Sequence, residues 1–250
     1  MINFQSRILY CDAHCAAVNK VVGEAAEGAA KGMIDLPRLL ADELSLAHYP
    51  AVLPENEVLA LPTAVHRLDV PVSGCMVFAR SRSALKFLNE AFKNNTVEKH
   101  YWAIVESSPN TALFSENEYA ELVHWIQFDP HNNKSIAYNE PGLRISRHSG
   151  RKKAILRCRL IGSSINYSFL EIDLVTGRHH QIRAQLAAIG LHIKGDLKYG
   201  ARRSEPGGGI RLHARSVSFP DPADNGTLIS VQAVPPLQDS LWLAFEENIK

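Results

Sequence analysis

Short segments in which apolar and polar residues alternate recur along the chain. Each predicts a β-strand, because successive side chains of a strand point to opposite faces. Residues 7–11 and 15–19, separated by a turn at 12–14, predict a β-hairpin, and a further strand is predicted through residues 100–105. A long antiparallel meander is predicted after it, with extended segments at residues 120–128, 134–140, 152–162 and 166–175.

Apolar residues spaced three and four apart predict helices. One is expected after Asp35, a candidate N-cap, and another from Ser81, a second candidate cap, to about residue 94. A third helix is predicted over residues 179–189, with Thr176 or Gly177 near its cap, and a closing amphipathic helix over 237–248.

Three segments predict irregular structure. Residues 23–32 are rich in Gly and Ala and predict a mobile loop, and residues 50–62 predict an extended linker. Residues 207–209 are three glycines, which predict a flexible loop. They do not form a phosphate-binding P-loop, because no Gly-Lys-Ser/Thr follows them.

Length and composition are those of an ordinary globular protein. The chain has 250 residues, of which 46% are hydrophobic and 21% charged, so it can bury a sizeable core in one large domain or two small ones. No apolar run approaches membrane-spanning length, and the N-terminus lacks the pattern of a signal peptide. We therefore expect a cytoplasmic protein that crosses no membrane.

The four cysteines do not follow the spacing of a disulfide framework, so we expect free thiols in a reducing compartment. Cys11, His14 and Cys15 could form half of a metal site. No second Cys/His pair with zinc spacing follows, so we predict a turn between strands and no metal.

The net charge is only +1, but the basic residues are clustered. One basic face on a nearly neutral protein is compatible with RNA binding, and two ordinary solvated patches are the alternative. The first cluster comprises Arg144, Arg147, Arg151, Lys152, Lys153, Arg157 and Arg159. The second comprises Arg178, Arg183, Lys194, Lys198, Arg202 and Arg203.

The segment with the clearest chemical potential is residues 65–74, VHRLDVPVSG, directly before an apolar run that predicts a buried strand. Asp69 lies there two residues from Arg67, in a loop that Pro71 stiffens. A carboxylate held beside an arginine stays ionised and aimed, as a carboxylate nucleophile requires. A surface Arg–Asp pair beside a turn is the alternative.

HRLD…SG in this segment resembles the signature of the RluA-type pseudouridine synthases. Residues 174–201, LVTGRHHQIRAQLAAIGLHIKGDLKYGA, resemble that family's second block, GRxHQIRxHL followed by GxPIxGDxxYG. RLHARSVSFPDP resembles a third block, LHAxxLxFxHP. The resemblance covers about residues 7–245 and implies the catalytic domain alone, without an S4-type domain, so residues 1–250 are expected to form a single domain.

This resemblance implies an α+β fold, with a mixed, mainly antiparallel central sheet, flanking helices and a central active-site cleft. The implied reaction converts specific uridines in structured RNA, either rRNA or tRNA, to pseudouridine after the target base has been flipped out. It requires no metal and no other cofactor. We expect the protein to be a monomer whose partner is RNA.

The resemblance also assigns site residues. Asp69 is implied to be the nucleophile, Tyr101 to pack against the target base and Arg183 to pair with Asp69. Leu212 is expected to line the base pocket. The other candidate RNA contacts are His66, Arg67, Arg178, His180 and Gln181.

Three departures from the family pattern, Val72 for Thr, Gln185 for His and His192 for Pro, are expected around the RNA-facing loops. They weaken any transfer of a particular RNA target. Two other functions remain open: a non-catalytic RNA-binding or folding factor on the same scaffold, and a carboxylate-dependent glycoside hydrolase. The intact Asp, Tyr and Arg argue against the first. The lack of a second catalytic acid in the motif blocks argues against the other.

Overall fold

The computed structural model describes residues 4–29, 32–46, 53–140, 150–224, 226–236 and 239–249. The chain forms two compact units. Unit 1 comprises Met1–Lys99 and His213–Pro236, and unit 2 comprises His100–Leu212 and Leu237–Lys250. Helices and a mainly antiparallel strand arrangement occur together, so the predicted α+β class is confirmed. The expectation of a single domain stays a prediction.

The strands of unit 1 form a mixed sheet in the order β1-β2-β6-β12, with β5 also paired to β6 and β13 to β12. The β6–β12 pair is parallel, and the other pairs named here are antiparallel. The strands are β1 (Ile8–Cys11), β2 (Cys15–Lys20), β5 (Val58–Ala64), β6 (Ser73–Ser81), β12 (Leu212–Pro220) and β13 (Leu228–Gln232), and a separate short pair is β3 (Glu24–Ala25) with β4 (Ile34–Asp35).

Two helices accompany this sheet, α1 (Leu36–Leu46) and α2 (Arg82–Lys93). The predicted helix start at Ser81 is confirmed, since its Oγ accepts a hydrogen bond from the Ala84 N–H at 3.2 Å. Leu88 of α2 packs into the core that β2 and β6 supply. The predicted hairpin is confirmed as β1–β2, because Asp12 Oδ1 accepts the N–H groups of His14 and Cys15 at 2.7 Å and closes the turn.

Unit 2 is an antiparallel sheet in the order β7-β11-β10-β8-β9. The predicted extended segments are confirmed, but a simple meander is not formed, because β10 pairs with β8 instead of β9 and β7 pairs with β11 instead of β8. Helix α4 of this unit packs on the sheet through Phe245, whose ring stacks on Trp102 at 4.7 Å between centroids. The elements are β7 (Glu98–Glu106), β8 (Ala120–Asp129), β9 (Lys134–Tyr138), β10 (Lys152–Ser163), β11 (Tyr167–Leu174), α3 (Gln181–Ala188) and α4 (Ser240–Ile249).

Two predictions of local structure are wrong. In the segment expected to be a mobile loop, Glu24 is buried, lies in β3 and pairs with Arg7 through both carboxylate oxygens. The composition of residues 23–32 could not reveal this ion pair, because Arg7 lies outside that segment. The third helix begins at Gln181 and not at His179, because His180 has a left-handed backbone conformation, with φ of 50°. Gly190 follows the helix with positive φ, as expected of a terminating glycine.

Gly74 of the SG motif has a structural reason to be glycine. Its φ is +119°, and a Cβ there would lie 2.2 Å from the backbone oxygen of Ala214, its parallel partner in β12. We expect Gly74→Ala to lower the free energy of unfolding by about 3 kcal/mol or more, since backbone strain and overpacking act together. Urea denaturation measures this. Gly226→Ala, where the nearest atom is 3.7 Å away, should change stability little, and equal effects of the two substitutions would contradict the explanation.

No helix among the described residues is long and apolar enough to cross a membrane.

Candidate active-site residues in each unit

In unit 1, the Asp69 loop is held at both ends by buried apolar side chains. Leu68 and Val72 flank the turn and are 7% and 2% exposed. The Val72 N–H donates to the Asp69 carbonyl oxygen at 3.0 Å, and the Gly23 N–H donates to that of Val70 at 3.0 Å. The half-buried Asp69 carboxylate therefore projects from a backbone with little freedom.

Lys20 holds the inner side of this loop. Its side chain is fully buried, and its ammonium lies 2.6 Å from the Val72 carbonyl oxygen and 3.2 Å from those of Asp69 and Val70. The carbonyl oxygen of Val21 lies 3.1 Å away. An ammonium has three N–H donors, so four acceptors at these distances satisfy it completely. One side chain thus fixes the backbone at Asp69 and over the residues that follow it.

The charge of Lys20 is balanced within unit 1. Burial lowers the pKa of Lys20 to about 8, against the carboxylates of Glu24 and Asp69, which favour the charged form, while Arg7 disfavours it. Glu24 in turn accepts the Val21 N–H at 2.9 Å and both terminal nitrogens of Arg7. Arg7, Glu24 and Lys20 therefore form a buried ionic network behind the Asp69 loop.

The two other candidate residues in this loop, His66 and Arg67, differ in burial and in charge. His66 accepts the Val77 N–H at its Nε2, at 3.0 Å, and its ring stacks on Phe92. Burial, with a contribution from Lys99, lowers the pKa of His66 to about 3. The His66 ring is therefore neutral and hydrogen-bonded to β6. Its assignment as an RNA contact stays a prediction. Arg67 is exposed and forms a 3.1 Å ion pair with Glu27, so it stays accessible to RNA.

In unit 2, Arg183 projects from α3 into a buried ion pair. Its Nε and Nη2 donate to the two carboxylate oxygens of Asp196 at 2.7 and 2.8 Å, and the two side chains are 5% and 1% exposed. The guanidinium also lies over the Tyr199 ring, 4.9 Å from its centroid. The arginine of the HQIR motif is thus oriented by the aspartate and tyrosine of the GDLKYG motif. The implied pairing of Arg183 with Asp69 stays a prediction.

The side chains of the adjacent histidines His179 and His180 pack against each other. The rings of His179 and His180 stack at 3.8 Å, because the left-handed backbone at His180 ends the helical geometry there. His180 Nδ1 lies 3.0 Å from the Tyr199 hydroxyl, and His179 Nδ1 lies 3.0 Å from Ser135 Oγ. His180 is therefore part of a hydrogen-bonded network within unit 2.

Gln181 makes internal hydrogen bonds, and its assignment as an RNA contact stays a prediction. It is 3% exposed, and its Oε1 accepts hydrogen bonds from Thr176 Oγ1 and from the Arg178 N–H. Its Nε2 donates to the Ile155 carbonyl oxygen of β10 at 3.0 Å. Gln181 thereby ties the TGR turn to the sheet, while Arg178 itself is exposed.

Tyr101 and Leu212, the residues assigned to the base, are both buried apolar positions. Tyr101 is 7% exposed and lies in β7 opposite Ile172 of β11. Leu212 is 4% exposed. The Arg211 guanidinium before it forms ion pairs with Glu205 at 2.6 Å and with Asp239, and so anchors the backbone at this point.

Of the three departures from the family pattern, Val72 lies in the Asp69 loop, His192 lies in the segment after α3, and Gln185 lies inside α3. The expectation that they surround RNA-facing loops stays a prediction. Gln185 is fully buried and donates to the Leu122 carbonyl oxygen at 3.0 Å. His192 Nδ1 lies 2.7 Å from the Tyr199 carbonyl oxygen, and Val72 is the buried residue whose carbonyl binds Lys20. All three support the internal structure of the site segments.

Many residues of the basic clusters are neutralised. Arg157 pairs with Asp173, Arg159 with Glu171, Lys194 with Glu205 and Arg202 with Glu106. Arg144 and Arg147 lie outside the described residues. These clusters therefore do not form a uniform basic face. The better candidates for RNA contacts are exposed cations without a carboxylate partner in the described ranges, such as Lys152 and Arg178.

Sequence analysis missed the supporting residues. Asp196 and Tyr199 stood inside a quoted motif, GDLKYG, but motif spacing does not show that one binds Arg183 and the other binds Ser135 and His180. Lys20 is the last residue of β2, the second strand of the first hairpin. Its role could not be predicted, because its complete burial is apparent only in the structure.

Comparison with known proteins agrees with these motifs. The family described as RNA pseudouridylate synthase matches residues 18–188. The chain is 29% identical over 215 residues to an uncharacterized RNA pseudouridine synthase of Zymomonas mobilis, covering 85% of this chain and 87% of the relative. It is 29% identical to the ribosomal large subunit pseudouridine synthase C of Vibrio cholerae, covering 88% of this chain but only 63% of that protein.

A solved structure supports the fold. Human RNA pseudouridylate synthase domain containing 4 superposes with a TM-score of 0.68 at 19% identity, covering 98% of this chain and 94% of the human one. At this identity the likeness concerns the fold alone. The family match over residues 18–188 and the named relatives establish the family. This chain belongs to the RNA pseudouridylate synthase family, of the RluA type, whose members are isomerases.

Proposed function

We propose that this chain converts specific uridines of structured RNA to pseudouridine, with Asp69 as the catalytic carboxylate. The observation that supports this assignment most strongly is the clamp of Lys20 on the carbonyl groups of Asp69, Val70 and Val72. A reactive carboxylate must be held to a fraction of an ångström, and a backbone fixed at Asp69 and just after it supports that constraint.

The reaction breaks the bond between C1′ and N1 of the uridine and forms a bond between C1′ and C5. The C5 proton leaves and N1 gains a proton, so there is no net oxidation and no atom is added. Asp69 acts at the sugar, as the carboxylate nucleophile of a retaining glycosidase does at an anomeric carbon. Attack at C1′ and removal of the C2′ proton both require the same carboxylate.

The detached uracil must be retained until it has turned. In this proposal Tyr101 and Leu212 confine the base, and the Tyr101 hydroxyl assists removal of the C5 proton. Arg183 orients the carboxylate, and its own orientation is supplied by Asp196. The target nucleotide must leave its stack to reach such a site, so the enzyme flips it from a loop or a distorted helix.

A pH dependence follows if Lys20 positions Asp69. We expect the kcat of the wild type to fall as pH rises through about 8, where Lys20 loses the charge that holds the loop. Lys20→Met should lack this dependence and have a kcat lower by about 10- to 100-fold at neutral pH, because the carboxylate is misplaced. A pH–rate profile of both proteins measures this, and an unchanged alkaline limb in Lys20→Met would refute the role of Lys20.

As pH rises through about 8, the contribution of Lys20 to stability increases while kcat is expected to fall, so the two effects can be measured separately. The folded-state pKa of Lys20, about 8, lies below its ordinary value of 10.5, so the protonated form opposes folding. Between these two pH values the unfolded chain binds more protons, and the contribution of Lys20 to stability increases with pH. A loss of kcat above pH 8 without thermal destabilisation is therefore the expected signature.

For the RNA target we propose ribosomal RNA first, since one relative is named for the large ribosomal subunit. Transfer RNA is the competing target, and the proposed setting is the cytoplasm, with the protein a monomer. Carbodiimide mapping of pseudouridine in total RNA from cells with and without the gene tests the proposal. One or a few sites should vanish without the gene and return with wild-type protein. An unchanged map would favour a non-catalytic RNA-binding factor instead.

A further inference from the structure

Unit 2 contains a groove of about 490 Å³ beside the β8–β9 hairpin and the segment before α3. This volume lies in the range of small-ligand sites, about 300–1,000 Å³. None of the described residues that line it is acidic. The lining residues that matter here are Phe128, Pro130, Ser135, Lys152, Arg178 and His179.

An aromatic ring lies open to solvent in this groove. Phe128 is 47% exposed, and His179 meets it at 4.4 Å in an edge-on arrangement. His179 is itself stacked on His180. An exposed ring supported from behind is suited to stacking with a nucleobase, since every base has a π-face and the contact tolerates any sequence.

Two cations lie at the same groove. Lys152 and Arg178 are exposed, and neither has a carboxylate partner in the described part of the chain. Arg178 Nε donates to the Lys153 carbonyl oxygen at 3.2 Å, which orients the guanidinium without neutralising it. This differs from Arg157 and Arg159 in β10, which are paired with acids. The groove therefore offers positive charge to an anion.

The groove wall is fixed before any ligand binds. The Tyr199 hydroxyl accepts the Ser135 N–H at 2.8 Å and donates to the Ser135 carbonyl oxygen at 3.1 Å. Lys198 Nζ reaches the carbonyl oxygens of Asn132 and Asn133 in the hairpin turn. A preformed wall lowers the ordering cost of binding.

We propose that this groove binds an unpaired nucleotide of the substrate RNA other than the reacting uridine. The base stacks on Phe128, and the adjoining phosphates lie at Lys152 and Arg178. This proposal rests on the proposed function, because it takes RNA as the substrate. It adds a subsite built from residues outside the motif blocks, Phe128 and Lys152, which recognises an unstacked base by its face and not by its hydrogen-bonding edge.

The test is fluorescence anisotropy with a 5′-labelled ten-nucleotide oligouridylate and the full chain. Phe128→Ala should weaken binding about ten-fold, from the loss of one stacked base, while Phe128→Trp stays within about two-fold of wild type. Ile136→Ala, an equally exposed apolar residue on the same hairpin, is the matched control and should bind as wild type. Equal melting temperatures of the four proteins exclude a folding defect.

The charge contribution has its own readout. Lys152→Gln and Arg178→Gln should each reduce the slope of log Kd against log salt by about 0.7, the value for one phosphate contact to a single strand. Lys93→Gln, the same change on α2 of unit 1, should leave the slope unaltered. A 4-thiouridine version of the probe should photocrosslink within residues 126–130 or 177–179.

Wild-type affinity and salt slope in Phe128→Ala, Lys152→Gln and Arg178→Gln would overturn the subsite, whatever the catalytic result. The assay needs no turnover. Weakened binding in these variants therefore supports the groove even if wild-type protein isomerises no uridine, and in that case only the proposed function fails.

Discussion

Replacement of Asp69 by asparagine is expected to lower the rate of pseudouridine formation by at least about 1,000-fold, because the amide cannot act as nucleophile or base. The change keeps the shape of the side chain. The backbone groups that hold the loop, namely the carbonyls bound by Lys20, are not altered. We therefore expect the melting temperature and the affinity for RNA to stay near those of the wild type. Single-turnover rates by nucleoside chromatography measure the effect.

Asp42→Asn is the matched control for this experiment. Asp42 is exposed on α1 of the same unit, so the same chemical change there should leave the rate unaltered. A rate within ten-fold of wild type for Asp69→Asn would remove Asp69 from the reaction. A large loss in both variants would point to a general effect of charge on RNA binding.

Replacement of Asp196 by alanine is expected to lower the free energy of unfolding by about 3–5 kcal/mol, because Arg183 would be left charged and buried without its partner. The pair is nearly inaccessible to water, at 5% and 1% exposure, and both of its hydrogen bonds are short. Urea denaturation of the variant and the wild type, with the slope checked for constancy, measures the change.

Two comparisons separate the buried charge from other causes. Arg67→Gln breaks an exposed pair, 66% and 53% accessible, and should change stability by less than about 1 kcal/mol. Arg183→Met combined with Asp196→Leu removes both charges and should recover part of the loss, although activity should stay low without Arg183. If the double variant is as unstable as Asp196→Ala, the unpaired charge is not the cause.

Local patterns predicted the fold well where the determinants are close in sequence. The β1–β2 hairpin is closed by Asp12 within its own turn, and α2 is capped by Ser81 three residues from its partner. The hairpins β8–β9 and β10–β11 of unit 2 likewise join strands that are consecutive in the chain, whereas the pairing of β7 with β11 could not be read from local alternation.

Prediction from the sequence failed where a local structure depends on contacts with residues far away in the chain. Glu24 is ordered by Arg7, and the start of α3 is set by His180, whose left-handed conformation goes together with its contacts to His179 and Tyr199. Neither contact is visible in helical periodicity or composition. The loop predicted from glycine-rich composition and the predicted start of the third helix were therefore both wrong.

The motif resemblance identified candidate catalytic residues but not the residues that hold them in place. It drew attention to Asp69 and Arg183, yet the clamp of Lys20 and the pairing of Asp196 with Arg183 required coordinates. It also indicated His66 and Gln181, which form internal hydrogen bonds to Val77 and Ile155, and their assignment as RNA contacts stays a prediction. Motif positions mix groups that act on substrate with groups that hold those groups in place.

The central claim is that Asp69 promotes transfer of the C1′ bond from N1 to C5. Release of tritium to water from RNA transcribed with [5-³H]uridine measures it most directly, because each isomerisation expels one C5 hydrogen. With the RNA identified by mapping, wild-type protein should release tritium in step with pseudouridine formation and yield no free uracil, and Asp69→Asn should release none. Tritium release by Asp69→Asn at the wild-type rate, or free uracil from the wild type, would contradict the account.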